Sequence, residues 1–252
     1  MNRRFLLILM LMPCSFMASS QDIVKELKEA ENFELRLDEM SALTKYRQLA
    51  GLYPENKKIL IKTSLLNSSV GGRQKTNQEK LAYCNEAQSF ALKALATDPL
   101  DADANYAMAV SLAELSALES ESKKIIEEVK LVYEYDWKAL HSNPNHARAN
   151  FVLGKWHEQV ADLSWLKKAA VQLAFGGLPP ASQDSAIIYM ERCRSLDPYY
   201  VLNYLELARL YKAQHHPDRA LEILNKMVRL PNRTADDALL KQQGQQLLNE
   251  LQ

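Results

Sequence analysis

Residues 201–231 read VLNYLELARLYKAQHHPDRALEILNKMVRLP, and this stretch decides the fold. Tyr204, Leu207, Ala208 and Tyr211 recur at spacings of three and four, which keeps them on one face of a helix. Ala220, Leu224 and Met227 repeat the pattern on a second helix. His215-His216-Pro217-Asp218 makes the turn between them, with Asp218 as the expected cap. Pro231 ends the second helix, because proline lacks the N–H and clashes with the preceding turn.

The same punctuation extends outward. Pro54, Pro99, Pro144, Pro198 and Pro231 each follow a helical pattern, at intervals of 45, 45, 54 and 33 residues. A tetratricopeptide repeat is two antiparallel helices in about 34 residues, ending near a proline. The intervals therefore read as one repeat plus 11, one plus 11, one plus 20, and one nearly bare repeat. This predicts an all-α, tetratricopeptide-like array of about five helical hairpins forming a right-handed superhelix, over 22–56, 57–100, 101–145, 146–199 and 200–232. A glutamine-rich helix over 234–251, with Leu239, Leu240, Leu247 and Leu248 as a narrow stripe, caps the last apolar face.

Each hairpin has its own apolar face. Ala30, Phe33, Ala42, Tyr46 and Leu49 serve the first; Ile59, Leu60, Leu66, Ala87, Ala91 and Ala94 serve the second. The third is alanine-rich from Ala102 to Leu112, and Glu119–Lys130 alternates charge as a solvated helix face does. In the fourth, Gly154 stands where a side chain would push the neighbouring helix away. The extra residues of the second hairpin lengthen its helices or fall between them. Gly71-Gly72 marks a break there.

Of the 252 residues, 47% are hydrophobic and 25% charged, with 31 basic and 31 acidic side chains. There is no basic surplus of the kind nucleic-acid binding needs. Arg3 and Arg4, the apolar run Phe5–Met12 and the small residues Ala18-Ser19-Ser20 form the three-part pattern of a cleavable signal peptide, residues 1–20. Export to the periplasm or envelope follows, with lipid attachment at Cys14 as the alternative. Cys84 and Cys193 are expected as buried apolar residues.

Catalytic signatures are missing. The chain has no phosphate loop, no GxGxxG, GxSxG or HExxH, and no paired CxxC. His141 and His146 with Asp136, and His215-His216, read as turn residues, so no metal or cofactor is expected. Asn67-Ser68-Ser69 and Asn232-Arg233-Thr234 match the glycosylation acceptor pattern. The candidate contacts lie elsewhere. Asn105 and Asn150 occupy similar places in successive hairpins, and with Tyr46, Asn67 and Tyr204 they are expected at the inner groove, clamping an extended peptide or capping the helix start. Val160–Pro180 is the longest insertion. Leu163, Leu166, Ala169, Ala170 and Leu173 form a stripe reinforced by Trp165 and Phe175. It reads either as a helix packed inside the array, with both aromatics in the core, or as an amphipathic lid or membrane-contacting helix.

Three segments in order, Leu153-Gly154-Lys155-Trp156, Val160–Leu166 and Phe175–Ser182, resemble the regulator of microtubule dynamics family. Leu196-Asp197-Pro198 and Leu230-Pro231 with Thr234, Asp236 and Asp237 also look like it. The resemblance is strong over about residues 145–251 and weaker over 22–144. It implies a helical-repeat domain with the insertion as a hallmark, and it carries over no catalytic residue. Animal members are membrane-anchored and associated with mitochondria, microtubules or organelle contacts, and one is similar to a lipid-binding tether. The leader here makes a secreted or periplasmic bacterial relative the expectation. Two functions follow: a non-catalytic scaffold holding a protein or peptide in the groove, or a lipid carrier with residues 160–180 as its lid.

Overall fold

The computed structural model describes residues 15–252, with side chains from residue 23 onward. Cys14 and most of the leader, residues 1–14, lie outside the described residues. Twelve helices and no strand occur among the described residues. They are α1 (Ser15–Leu35), α2 (Glu39–Leu52), α3 (Lys57–Gly72), α4 (Asn77–Thr97), α5 (Ala102–Leu118), α6 (Ser122–Ser142), α7 (Ala147–Ala161), α8 (Trp165–Phe175), α9 (Gln183–Leu196), α10 (Val201–Ala213), α11 (Pro217–Met227) and α12 (Asp237–Leu251). The hairpins are α1/α2, α3/α4, α5/α6, α7/α9 and α10/α11. α8 is inserted in the fourth, and α12 packs on the fifth.

The prolines set the junctions through a shared local geometry. Tyr53, Asp98, Asn143 and Asp197 each precede a proline, and each leaves the helix for extended ψ values of 67, 97, 91 and 83°. The proline ring disfavours the helical region for the residue before it. Two residues beyond each of the first three prolines stands an N-cap, in Asn56, Asp101 and His146. Their side chains accept from the N–H of Ile59 (3.2 Å), Ala104 (2.8 Å) and Ala149 (3.0 Å). Stop and restart signals thus sit within a few residues of each other.

The extra residues of the middle hairpins lengthen the helices: α4 and α6 each run to 21 residues. Gly71-Gly72 ends α3. In the fifth hairpin, Asp218 is not the cap. His216 holds that place without a side-chain bond, and Asp218 lies in the first turn, where the helix dipole favours its charge.

The first helices of the hairpins form the inner layer. α3 touches α5, α5 touches α7, and α10 touches α12, whereas the second helices make no such stack. One core runs from Ala30 through Leu43, Tyr46, Leu60, Met108 and Val132 to Trp156 and Val160. A second joins Ala186 and Met190 to Tyr204, Leu207, Leu224 and Leu248. They meet at the α7–α9 crossing, where a Cβ on Gly154 would lie 2.8 Å from Met190 Cγ and 3.2 Å from the Ala186 carbonyl. Cys84 and Cys193 are buried and free, and burial pushes both thiols up to about 12.

The first two hairpins also touch the turn before α12. Arg73 Nη1 lies 2.8 Å from Asp236 Oδ2, and Arg73 Nη2 lies 2.6 Å from Glu39 Oε2. The Ala235 N–H donates to Glu39 Oε1 at 3.4 Å.

Candidate interaction surfaces

The inner layer is more deeply buried than the sequence suggests, and this corrects the expected groove contacts. Asn105 and Asn150 are 0% and 1% exposed. Asn105 Nδ2 donates to the Pro99 and Asp101 carbonyls at 2.9 and 2.8 Å; Asn150 Nδ2 donates to the Pro144 and His146 carbonyls at 3.3 and 3.0 Å. Tyr204, also fully buried, donates its hydroxyl to the Pro198 carbonyl at 3.1 Å. Each of the three sits six residues after its proline, so all share one structural position. They staple the inter-repeat turn and offer nothing to a ligand. Tyr46 is buried and donates to Glu34 at 2.8 Å. Asn67 is buried against Arg47, which makes it unavailable as a glycosylation acceptor.

Successive inner helices are bridged by charge. Lys58 pairs with Glu31 (2.8 Å) and Lys62 with Glu34 (2.7 Å). Lys57 pairs with Asp101 (2.6 Å), Lys155 with Glu206 (2.5 Å) and Lys212 with Glu250 (2.8 Å); between α5 and α7 the link is a hydrogen bond, with His146 Nε2 donating to Asp103 Oδ1 at 3.0 Å while Nδ1 accepts the Ala149 N–H. The inner face is therefore a ladder of satisfied ions rather than a bare apolar trough.

One place on that layer departs from the ladder. The Arg148 guanidinium lies 3.3 Å from the Tyr200 ring centroid, and its Nε donates to Asp197 at 3.2 Å. Phe151 meets Tyr200 edge-on at 5.1 Å, and Tyr106 tilts against His146 at 4.7 Å. Arg148 is still 35% exposed in its side chain and has donors beyond the Nε that Asp197 takes. Burial pushes the Tyr200 phenol up to about 12 and raises Tyr106 further, so both hydroxyls are protonated at neutral pH. Behind them lies Asp136, fully buried, with no partner on either carboxylate oxygen. Desolvation raises its pKa well above the ordinary carboxylate range. These groups come from three helices, α5, α6 and α7, and the turn before α10, and their spacing in sequence carries no sign that they meet. Among the described residues, no cluster of His, Cys, Asp or Glu has the makings of a metal site.

The inserted helix is the other surface. α8 has no buried residue. Trp165 is 79% exposed, Leu166 63% and Leu173 89%. The expectation that Trp165 lies in the core is corrected: only Val171 and Phe175 turn inward and are partly buried, and the Phe175 carbonyl accepts Lys130 from α6. Leu178 and Ala181, in the loop that follows, do pack on the main core. One open cleft of about 500 Å³ lies by Pro54, Lys93 and Thr97, and another of about 260 Å³ lies by Glu39, Arg73 and Ala235. Neither lies at the insertion, so nothing supports the lipid-carrier alternative. Among the described residues, no helix is long and apolar enough to cross a membrane.

A family model described as "Regulator of microtubule dynamics protein 1-3" matches residues 23–252. The chain belongs to the regulator of microtubule dynamics family. Regulator of microtubule dynamics protein 1 of Pongo abelii is 25% identical over 229 residues, covering 89% of this chain and 72% of that protein. The Bos taurus protein of the same name is 25% identical over 227 residues, covering 90% and 64%. For the human protein the identity is again 25%, covering 69% of this chain and 55% of that one. The chain thus spans between 55% and 72% of the length of these relatives. Among solved structures, a thermophilic tetratricopeptide-repeat protein of Thermus thermophilus superposes with a TM-score of 0.66 at 15% identity, over 89% of this chain and 98% of that one. PilF of Pseudomonas aeruginosa gives 0.55 at 14% identity, over 93% and 90%. Both are likenesses of fold. The motifs that resemble the family, Leu153–Trp156 through Ser182, occupy the α7–α9 crossing and the α8 insertion. Trp156 donates to the Val129 carbonyl at 2.8 Å, tying α7 to α6.

Proposed function

We propose that this member of the family is a non-catalytic interaction scaffold of the cell envelope, which holds a protein segment on its inner layer at the Arg148–Tyr200–Tyr106 patch. The observation that carries the reading is the Arg148 guanidinium, fixed between the Tyr200 ring and Asp197 yet one-third exposed. Aromatic side chains and arginine dominate the energetic centres of protein interfaces. A pre-ordered guanidinium binds a carboxylate at lower entropic cost than a free one. The partner segment accordingly carries an acidic side chain or a chain terminus. Export to the envelope rests on the leader pattern of residues 1–20.

The test is site-specific photo-crosslinking in the source cell. A photoreactive residue at Val152, partly buried on the inner layer, is expected to trap a discrete partner. The same residue at Leu92, half-exposed on the outer helix α4, is expected to trap none. Arg148→Lys, which keeps charge but loses the planar fork, should abolish the Val152 adduct. Equal adducts from both faces, or an adduct indifferent to Arg148, overturn the proposal.

A further inference from the structure

α8 is built as a helix and fully buries no residue, with only Val171 and Phe175 partly covered. Ser164 caps its start, accepting the Lys167 N–H at 3.4 Å. Gly176 ends it in the left-handed region at φ 73°, followed by Gly177 at φ 84°. The Gly177 N–H returns to the Val171 carbonyl at 3.2 Å. An 11-residue helix is marginal in water without tertiary packing. At 100° per residue, Trp165, Leu166, Ala169, Ala170, Leu173 and Ala174 fill one half of its circumference, and all six are exposed. A helix capped at both ends, with its apolar half turned outward, completes its packing on something outside the chain.

The chemistry of that something is legible. Between Leu163 and Ser182 the chain has two lysines, Lys167 and Lys168, and no acidic residue. Trp165 stands at the start of the exposed face, where an amphipathic indole favours a water–lipid boundary. The exposed face is a strip about 16 Å long and about 10 Å wide, far short of the roughly 800 Å² per partner that a stable protein pair buries. A second copy of the chain is therefore a poor occupant. We infer that α8 seats the array on an anionic lipid surface, with Trp165, Leu166 and Leu173 entering the headgroup–acyl boundary, Lys167 at the edge of that face toward lipid phosphates, and Lys168, whose Nζ donates to the Ala161 carbonyl at 2.8 Å, adding positive charge from behind it.

Hydrogen exchange of the full chain reads this locally, whatever the leader does. Vesicles of phosphatidylglycerol and phosphatidylcholine are expected to slow the amides of Trp165–Phe175 at least tenfold and to leave those of α5 unchanged. Leu166→Ser with Leu173→Ser, both at exposed positions, should abolish that protection with the helical signal intact. Lys167→Glu with Lys168→Glu should remove the preference for the anionic lipid over phosphatidylcholine alone. Unchanged exchange at saturating lipid overturns the inference. So does protection that arises without vesicles and vanishes on dilution, which assigns the face to a second copy. A lipid preference indifferent to the lysine pair does the same.

Discussion

Gly154 gives the sharpest test, because propensity and packing there predict opposite signs. In a helix interior, alanine is about 1 kcal/mol better than glycine. Gly154, however, lies where α7 crosses α9, and an added Cβ would meet Met190 Cγ at 2.8 Å, the Ala186 carbonyl at 3.2 Å and the Met190 N–H nitrogen at 3.3 Å. Two of the three are backbone atoms of a helix held by its own hydrogen bonds, and Met190 is itself fully buried. Overpacking of this kind costs about 1–3 kcal/mol. Gly154→Ala is therefore expected to lose about 1 kcal/mol net, and Gly154→Leu about 3 kcal/mol or more. At about 2–4 °C per kcal/mol for a domain of this size, the leucine variant should melt about 6–12 °C lower. Urea unfolding followed by circular dichroism measures both. Met190→Ala in the alanine background relieves the Cγ contact but neither backbone one, so the two changes should couple by about 1 kcal/mol and not cancel. A gain in stability from Gly154→Ala would show that propensity decides and that the crossing is not tight.

Three further outcomes follow. Asp136 is buried with neither oxygen paired, so Asp136→Leu should stabilise the fold by about 1–3 kcal/mol, the cost of an unsatisfied buried polar group. Its folded pKa is raised, so its contribution is full below the ordinary carboxylate value and is lost as pH rises through the folded value; stability-versus-pH curves should flatten in the variant. Glu39 has the opposite sign. Burial pushes its pKa up, but Ser69, Arg73 and the Ala235 N–H outweigh this and hold it below the ordinary range, so its contribution is present above that range and lost as pH falls through its folded value. Glu39→Gln should cost about 1 kcal/mol and speed amide exchange at residues 231–236. Asn150→Ala removes two bonds to the Pro144 and His146 carbonyls, which keep the Arg192 Nε and the residue-150 N–H as donors, and should cost about 1 kcal/mol, while crosslinking at Val152 persists; loss of the adduct without loss of stability would restore Asn150 to the groove.

The hairpin boundaries were legible because their cause is local. A proline restricts its predecessor wherever it stands, and Asn56, Asp101 and His146 cap the next helix two residues on. Gly154 was legible for a similar reason, as a glycine inside a strong helical pattern needs a close neighbour. The likeness of Asn105 and Asn150 was also visible, but not its meaning. An asparagine six residues after a proline can reach its own turn or a groove ligand, and the burial of the inner layer, a property of the whole array, decides between them. The stripe of α8 hid its destination, since an apolar face has the same period against a core or against water. Arg148, Tyr200, Tyr106 and Asp136 left no trace, because they meet only when α5, α6, α7 and the turn before α10 come together.

The contact of Arg73 with Glu39 and Asp236 changes how the array can come apart. A linear stack of repeats behaves as a one-dimensional chain of nearest-neighbour couplings and unravels from whichever terminus is weaker. Here the Arg73 guanidinium is bonded to a carboxylate 163 positions away. The stretch from Glu39 to Asp236 is thus a loop in the coupling graph, and the turn before α12 does not leave without losing its bonds to the first two hairpins. Partial unfolding that a linear stack tolerates becomes a correlated event, so hydrogen exchange at the two distant segments should rise and fall together.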